Sequence, residues 1–84
     1  MSKLVARMNT MAPPSVAYQK QYAYDAGGNV IYEGWAAPGI ATAAPLWAIK
    51  RYTYSGSNVV AEQWAGGNAC EAYIWDDRSS LNYS

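Results

Sequence analysis

The chain has 84 residues, with six basic and six acidic side chains, no His and no formal net charge at neutral pH. A chain of this length forms one domain with a small core, and its neutral charge does not favour nucleic acids or anionic membranes as partners. No run of about 18 apolar residues is present, so we expect no membrane span. Cys70 is the single Cys in the sequence, so no internal disulfide and no ordinary zinc site can be assembled.

The aromatic side chains are four Trp and eight Tyr, and Phe is absent. These rings carry a polar tip that needs a hydrogen bond, which suits a surface half-buried against a partner. Assembly is a common remedy for a small core, so we expect a homo-oligomer or a symmetric multi-copy assembly. Met1–Met11 is too short and too polar for a secretory signal, so we expect synthesis in a cytosol.

In chain order, the sequence predicts a flexible N-terminal arm over residues 1–16, followed by a single small β domain. The domain is expected to contain a hairpin over 17–37, a Pro-containing crossover over 38–46, a hairpin over 47–66 and a helix over 69–80. The predicted fold class is therefore mainly β, with two antiparallel β-hairpins that form an internal repeat and a short C-terminal helix.

The internal repeat relates Gln19–Gly39 to Ile49–Gly67, with an offset of 30 residues before the turn and 29 after it. One residue is thus lost inside the turn, where a length change leaves the flanking strands intact. Matched pairs include Lys20 with Lys50, Tyr22 with Tyr52, Asn29 with Asn58, Glu33 with Glu62 and Trp35 with Trp64.

The turn clusters Asp25–Asn29 and Ser55–Asn58 lie between alternating β-branched and aromatic residues, a pattern typical of hairpins. Uninterrupted pairing outward from these turns predicts the cross-strand partners. The expected pairs are Tyr24 with Val30, Tyr22 with Tyr32, Gln21 with Glu33, Tyr54 with Val59, Tyr52 with Ala61, Arg51 with Glu62 and Ile49 with Trp64.

The C-terminal helix is predicted from a capping-box pattern, in which Asn68 is the N-cap and Glu71 is the third helical residue. So short a helix is marginal alone and needs to dock on a sheet. Its docking residues are expected to be Tyr73, Ile74 and Leu81.

Catalytic chemistry finds little support in the sequence. The usual general base is missing because His is absent, and the Ser residues lie in turns or terminal polar stretches. Glu33 and Glu62 occupy equivalent repeat positions and are a candidate carboxylate pair, but cross-strand partners explain each of them as part of a solvated face. We therefore predict a protein that is not an enzyme, with no catalytic residue, no cofactor and no metal site.

Aromatic residues at strand spacing instead suggest a binding surface, because Trp and Tyr are enriched among interface anchors. The expected register places Trp35 and Trp64 on a polar face, where the C-terminal helix covers them or a partner receives them. We rank a partner protein above a sugar. The predicted interface residues are Met8, Met11 and Pro13 of the arm, with Tyr32, Trp35, Trp47 and Trp64 of the domain.

Two resemblances follow from these motifs. Tyr22–Val30 (YAYDAGGNV) resembles the tyrosine-aspartate repeat of large secreted shells, although the second copy has Ser55 in place of the Asp. Six motifs follow one another along most of the chain, at Tyr22–Val30, Ala37–Gly39, Trp47–Lys50, Tyr52–Tyr54, Trp64–Asn68 and Ile74–Tyr83. Their order resembles a family of small proteins encoded among the virion genes of tailed bacteriophages.

The phage resemblance implies a virion structural protein, a small accessory subunit that binds neighbouring capsid or tail proteins. It implies no catalytic residue. Head decoration or cement and head-tail or tail attachment both remain open. The alternative of another class is a carbohydrate-binding module associated with a tail fibre.

Overall fold

The computed structural model describes residues 17–84, which fold around one four-stranded antiparallel sheet with strand order β1-β2-β3-β4. The strands are β1 (Gln19–Tyr24), β2 (Val30–Ala36), β3 (Ala48–Ser55) and β4 (Asn58–Trp64). A 3-10 helix, Trp75–Ser80, follows the sheet. The prediction of a mainly β fold with two hairpins and a short C-terminal helix is confirmed.

The first hairpin turn is organised by Asp25. Its Oδ1 accepts hydrogen bonds from the main-chain N–H groups of Gly27 (2.9 Å) and Asn29 (3.0 Å), as expected for an Asx-type turn. Gly28 has a φ of +85°, a backbone conformation that favours glycine. The hydrogen bonds donated to the carboxylate, that from Asn29 first, hold the pKa of Asp25 below its usual value.

Each hairpin then contains a β-bulge that the sequence prediction missed. The pairs nearest the turns, Tyr24 with Val30 and Tyr54 with Val59, are as predicted. A register shift next to each of these pairs makes the other predicted pairs wrong. The observed pairs are Ala23 with Tyr32, Tyr22 with Glu33, Gln21 with Gly34, Thr53 with Ala61, Tyr52 with Glu62, Arg51 with Gln63 and Lys50 with Trp64.

The shift matters because neighbouring residues of a strand point to opposite faces. One extra residue at the bulge therefore moves the rest of that strand, on the side away from the turn, to the other face. The face named here the open face carries Lys20, Tyr22, Tyr24, Glu33, Trp35, Lys50, Tyr52, Tyr54, Glu62 and Trp64. The face named here the covered face carries Gln21, Ala23, Tyr32, Gly34, Ala36, Ile49, Arg51, Ala61, Gln63 and Ala65.

The connection between β2 and β3 was predicted to be a crossover over 38–46, and it is instead a return loop between neighbouring antiparallel strands. It also packs on the domain. Gln19 Nε2 donates to the carbonyl oxygens of Ala37 (3.0 Å) and Ile40 (2.8 Å), and Trp47 Nε1 donates to that of Ala41 (2.9 Å). The small residues of this loop therefore let its main chain lie close to the sheet.

The C-terminal helix differs from its prediction over 69–80. Helical structure begins only at Trp75, and Ile74 precedes it in an extended conformation without a side-chain cap. The capping box of Asn68 and Glu71 is therefore not formed. The chain before and after the helix instead pairs with the residues that flank β3 and β4, through antiparallel bridges of Trp47 with Tyr73 and of Ala65 with Tyr83.

This C-terminal segment, residues 67–84, places its rings on the covered face. The core contains Ala36, Trp47, Ile49, Ala65 and Trp75, all at most 5% exposed. Gly34 makes the packing possible, because a Cβ atom built there would lie 2.6 Å from Trp75 Cε3 and 3.1 Å from Trp47 Cε3. Farther along, the Tyr83 ring packs on Tyr32 at 5.7 Å, and burial raises the pKa of Tyr83 to about 12.

Candidate protein-binding surface

The centre of the open face is a cluster of rings around the Lys50 ammonium. Lys50 Nζ lies 4.9 Å from the ring centroid of Trp64 and 5.5 Å from those of Trp35 and Tyr52. The two indoles are themselves 5.3 Å apart and tilted by 41°. Attraction between the ammonium and the ring faces holds this cluster in place, and it does so on a sheet face that still meets solvent.

Two ion pairs extend the cluster across the strands. Lys50 Nζ is 3.0 Å from Glu62 Oε1, and Lys20 Nζ is 3.5 Å from Glu33 Oε2. Glu33 is nearly buried, and it also accepts a 2.5 Å hydrogen bond from the Tyr52 hydroxyl. Desolvation, reinforced by the Glu33 carboxylate, raises the pKa of Tyr52. The charges of the open face are thus paired within the sheet, so its centre is polar but neutral.

Toward the hairpin turns, the open face becomes aromatic and more exposed. Tyr22 is 44% exposed and Tyr24 is 59% exposed, and their ring centroids lie 6.5 Å apart. Tyr54 donates a 2.7 Å hydrogen bond to the Val30 carbonyl oxygen, which fixes its ring between the two hairpins. Rigid rings with free polar tips are the side chains that protein interfaces favour.

The structure divides the predicted interface residues. Trp35 and Trp64 lie together on the open face, and the C-terminal segment does not cover them because it packs on the other side of the sheet. Trp47 is fully buried and cannot be an exposed anchor, and Tyr32 packs against Tyr83 on the covered face. The prediction of Trp47 as an anchor is wrong, whereas that of Tyr32, which is half-buried, stays a prediction. Met8, Met11 and Pro13 lie outside the described residues.

Sequence reasoning missed the other members of the surface. Lys20, Lys50, Tyr22, Tyr24 and Tyr52 share the open face with the two Trp residues only because each hairpin contains a bulge. The repeat did contain one indication. Its two copies match Lys to Lys, Tyr to Tyr and Trp to Trp, so each of these residues in one hairpin has an equivalent in the other, and the two hairpins can contribute to one surface.

The carboxylates of the open face are engaged in ion pairs. Glu33 and Glu62, the candidate carboxylate pair, each hold a lysine of the sheet. Residues 17–84 enclose no pocket and contain no group of three or more His, Cys, Asp or Glu placed to hold a metal ion. Within the same part of the chain, no helix has the length and hydrophobicity needed to cross a membrane.

Comparisons of the chain with protein-family models, with curated proteins and with solved structures find no match. The open face is neutral, with packed rings at its centre and exposed tyrosines at the end near the hairpin turns. Such a surface suits contact with another folded protein.

Proposed function

We propose that this chain is a non-enzymatic virion structural protein of a tailed phage, a small accessory subunit that binds neighbouring capsid or tail proteins. The order of its sequence motifs supports the virion setting. The open face supports a binding role, because ordered aromatic rings on one side of the sheet have no covering element among residues 17–84. This face is the observation that carries the proposal.

The chemistry of the open face favours a protein partner with a neutral, partly apolar surface. Its lysines and glutamates already neutralise one another, so an oppositely charged partner would gain little. Burial of the exposed parts of Tyr22 and Tyr24 would contribute roughly 25 cal/mol for each Å² of apolar surface removed from water. Several such contacts around a symmetric particle would add up to stable attachment.

A binding comparison tests the role of this face. Tyr22→Ser combined with Tyr24→Ser is expected to reduce attachment to particles that lack the protein, without unfolding the sheet. Leu46→Ser is the matched control, because Leu46 is 47% exposed but lies in the loop at the opposite end of the sheet. Equal attachment of the two variants would contradict the proposal for the open face, and absence of the protein from purified virions would contradict the virion role.

The number of copies in each purified virion separates the two positions that remain open. A head-decoration protein is expected to be abundant and to detach without loss of the shell. A connector or tail-attachment protein is expected in a small symmetric number, and its deletion is expected to stop assembly. Quantitative mass spectrometry of purified virions measures this number.

A carbohydrate-binding module associated with a tail fibre is the second candidate, favoured by the adjacent rings of Trp35 and Trp64 on an open face. Sugar stacking requires a free ring face, whereas Lys50 Nζ lies over both indoles. Glycan binding by the folded domain that is lost in both Trp35→Ala and Trp64→Ala would favour this second candidate. Binding to no glycan would remove it.

A further inference from the structure

The two halves of the internal repeat form equivalent structures. Both hairpins carry a register shift at the same place, between Ala23 and Tyr24 in one and between Thr53 and Tyr54 in the other. The sheet is therefore built from two copies of one unit. Each unit has two edges: one edge joins the other unit inside the sheet, and the equivalent edge of the other unit lies at the outside of the sheet.

The two units join through β2 and β3, the second strand of the first hairpin and the first strand of the second. In this junction Glu33 lies opposite Lys50 and Gly34 lies opposite Ile49. The side chains of Glu33 and Lys50 are only 11% and 19% exposed. The junction thus sets a glutamate opposite a lysine with both side chains largely removed from water, while each makes its ion pair within its own hairpin.

The strands that correspond to this junction at the outside of the sheet are β4 and β1, its two edge strands. The repeat counterparts of Glu33 and Lys50 are Glu62 on β4 and Lys20 on β1. Their side chains are 51% and 45% exposed. The glutamate and lysine positions that are buried at the internal junction are therefore half-exposed at the two edges, where Glu62 is paired with Lys50 and Lys20 with Glu33.

The main chain of both edges also has the orientation that such a junction needs. The Ala65 N–H donates to Ile49 O inside the sheet, whereas the Trp64 N–H donates outward to Ser84 O. Because the polar groups of an antiparallel strand alternate in direction, those of Glu62 also point outward. The same alternation, followed through β3 and β2, points the N–H and C=O of Lys20 outward from β1.

We propose that a second copy of this chain adds to the first head to tail, with β4 of one copy beside β1 of the next. The register of the internal junction, transferred to these edges, places Glu62 opposite Lys20. The flanking pairs are then Gln63 opposite Gln19 and Ala61 opposite Gln21. This inference deepens the proposed function, on which its virion setting rests, by naming another copy as the partner at the edges.

The proposed junction has clear ends in the structure. Ser84 already occupies the outer side of Trp64, and β1 begins at Gln19, the residue that would lie opposite Gln63. The bulge beyond Ala61 ends the ladder on the other side, as the equivalent bulge does in the internal junction. A contact this short is weak alone, so it would act where symmetry or a particle surface gathers many copies.

Disulfide trapping between single-Cys variants tests the register. In a Cys70→Ser background, one protein carries Ala61→Cys and a second carries Gln21→Cys, and the two are mixed under mild oxidation. In the proposed register these residues form a pair without main-chain hydrogen bonds, the arrangement with the closer side chains. The mixed dimer is expected to form about tenfold more than with the control, because a disulfide requires Cα atoms within about 7 Å.

The matched control replaces Gln21→Cys by Ala23→Cys, which lies on the same face of the same strand but two residues out of register. Tryptophan fluorescence checks that every variant is folded. Equal trapping with the control, a dominant dimer of Ala61→Cys with itself, or no trapped dimer at high protein concentration would each overturn the proposal. Adding Lys20→Glu to the Gln21→Cys protein is expected to reduce trapping several-fold, and Glu62→Lys in its partner is expected to restore it.

These outcomes separate the inference from the proposed function. Failure of trapping, together with particle attachment that depends on Tyr22 and Tyr24, would remove the head-to-tail junction and leave the virion role. Specific trapping by a protein that is absent from virions would support the head-to-tail junction and remove the virion role.

Discussion

The two faces of the sheet use aromatic rings in different ways. On the covered face, the rings of Trp47 and Trp75 lie 6.1 Å apart and pack against a surface left flat by Gly34. On the open face, Trp35 and Trp64 pack beside each other under a lysine ammonium. The covered face therefore stabilises the fold by burying its rings, whereas the open face holds its rings in order at the surface.

This difference shows how a small chain can keep large rings at a surface without a second layer over them. Here cation–π contacts and paired charges satisfy the polar side of the surface, and cross-strand packing fixes the rings. Variants on the covered face should therefore lose core packing, and variants on the open face should lose the polar contacts that support its rings.

The largest effect is expected from Trp75→Ala, which removes the main ring of the C-terminal segment from the core. Trp75 is 5% exposed, and loss of a buried Trp side chain costs about 3 to 5 kcal/mol of unfolding free energy. Urea unfolding followed by circular dichroism measures the change. A loss below about 1 kcal/mol would show that the C-terminal segment contributes little to the covered face.

Gly34→Ala tests the close approach of the rings without removing any of them. The added methyl group would press on both indoles of the core, and overpacking of this kind costs about 1 to 3 kcal/mol. Gly27→Ala is the matched control, because its added Cβ atom would come no closer than 3.4 Å to a neighbour. Equal urea midpoints for the two variants would contradict the packing described for the covered face.

Tyr52→Phe tests the polar support of the open face. It removes the hydrogen bond to the Glu33 carboxylate, and we expect a loss of about 1.5 kcal/mol. Tyr54→Phe, which loses a bond to a neutral carbonyl oxygen, is expected to lose less. Urea unfolding of both variants in parallel measures the difference, and a larger loss for Tyr54→Phe would contradict this assignment.

The same tyrosine predicts a pH dependence. The pKa of Tyr52 in the folded protein is raised above its ordinary value of 10.0. Its contribution to stability is therefore complete below that pH and is lost as the pH rises through the folded-state pKa. Above the ordinary Tyr pKa of 10.0, the unfolding free energy should fall less steeply with pH for Tyr52→Phe than for the unaltered protein. The same pH dependence in both proteins would show that Tyr52 does not cause the alkaline loss of stability.

Lys20→Ala is expected to have the smallest effect on stability. Its side chain is 45% exposed and its ion pair with Glu33 is 3.5 Å long, so the loss should be about 0.5 kcal/mol and should shrink in high salt. Lys50→Ala is the natural comparison, since the side chain of Lys50 is 19% exposed and lies over more rings. A larger loss of unfolding free energy for Lys20→Ala than for Lys50→Ala would contradict the assignment of Lys50 as the more strongly stabilising of the two lysines.

Much of the fold could be predicted from local patterns, and much of the candidate surface could not. The turns at Asp25–Asn29 and Ser55–Asn58 were found because Gly and Asx chemistry acts over a few residues. Trp35 and Trp64 were placed together because the repeat makes them equivalent. Trp47 was misassigned because nothing in its neighbourhood distinguishes a buried Trp from an exposed one.

The sequence by itself determined two repeated hairpins, their turns and the equivalence of their lysine, tyrosine and tryptophan rows. Only the tertiary structure decided which face those rows occupy and which face is covered. The physical reason is that turn chemistry is local, whereas the face of a side chain depends on a single extra residue in the strand. Coverage likewise depended on where Trp75 could meet a glycine, a contact between residues far apart in the chain.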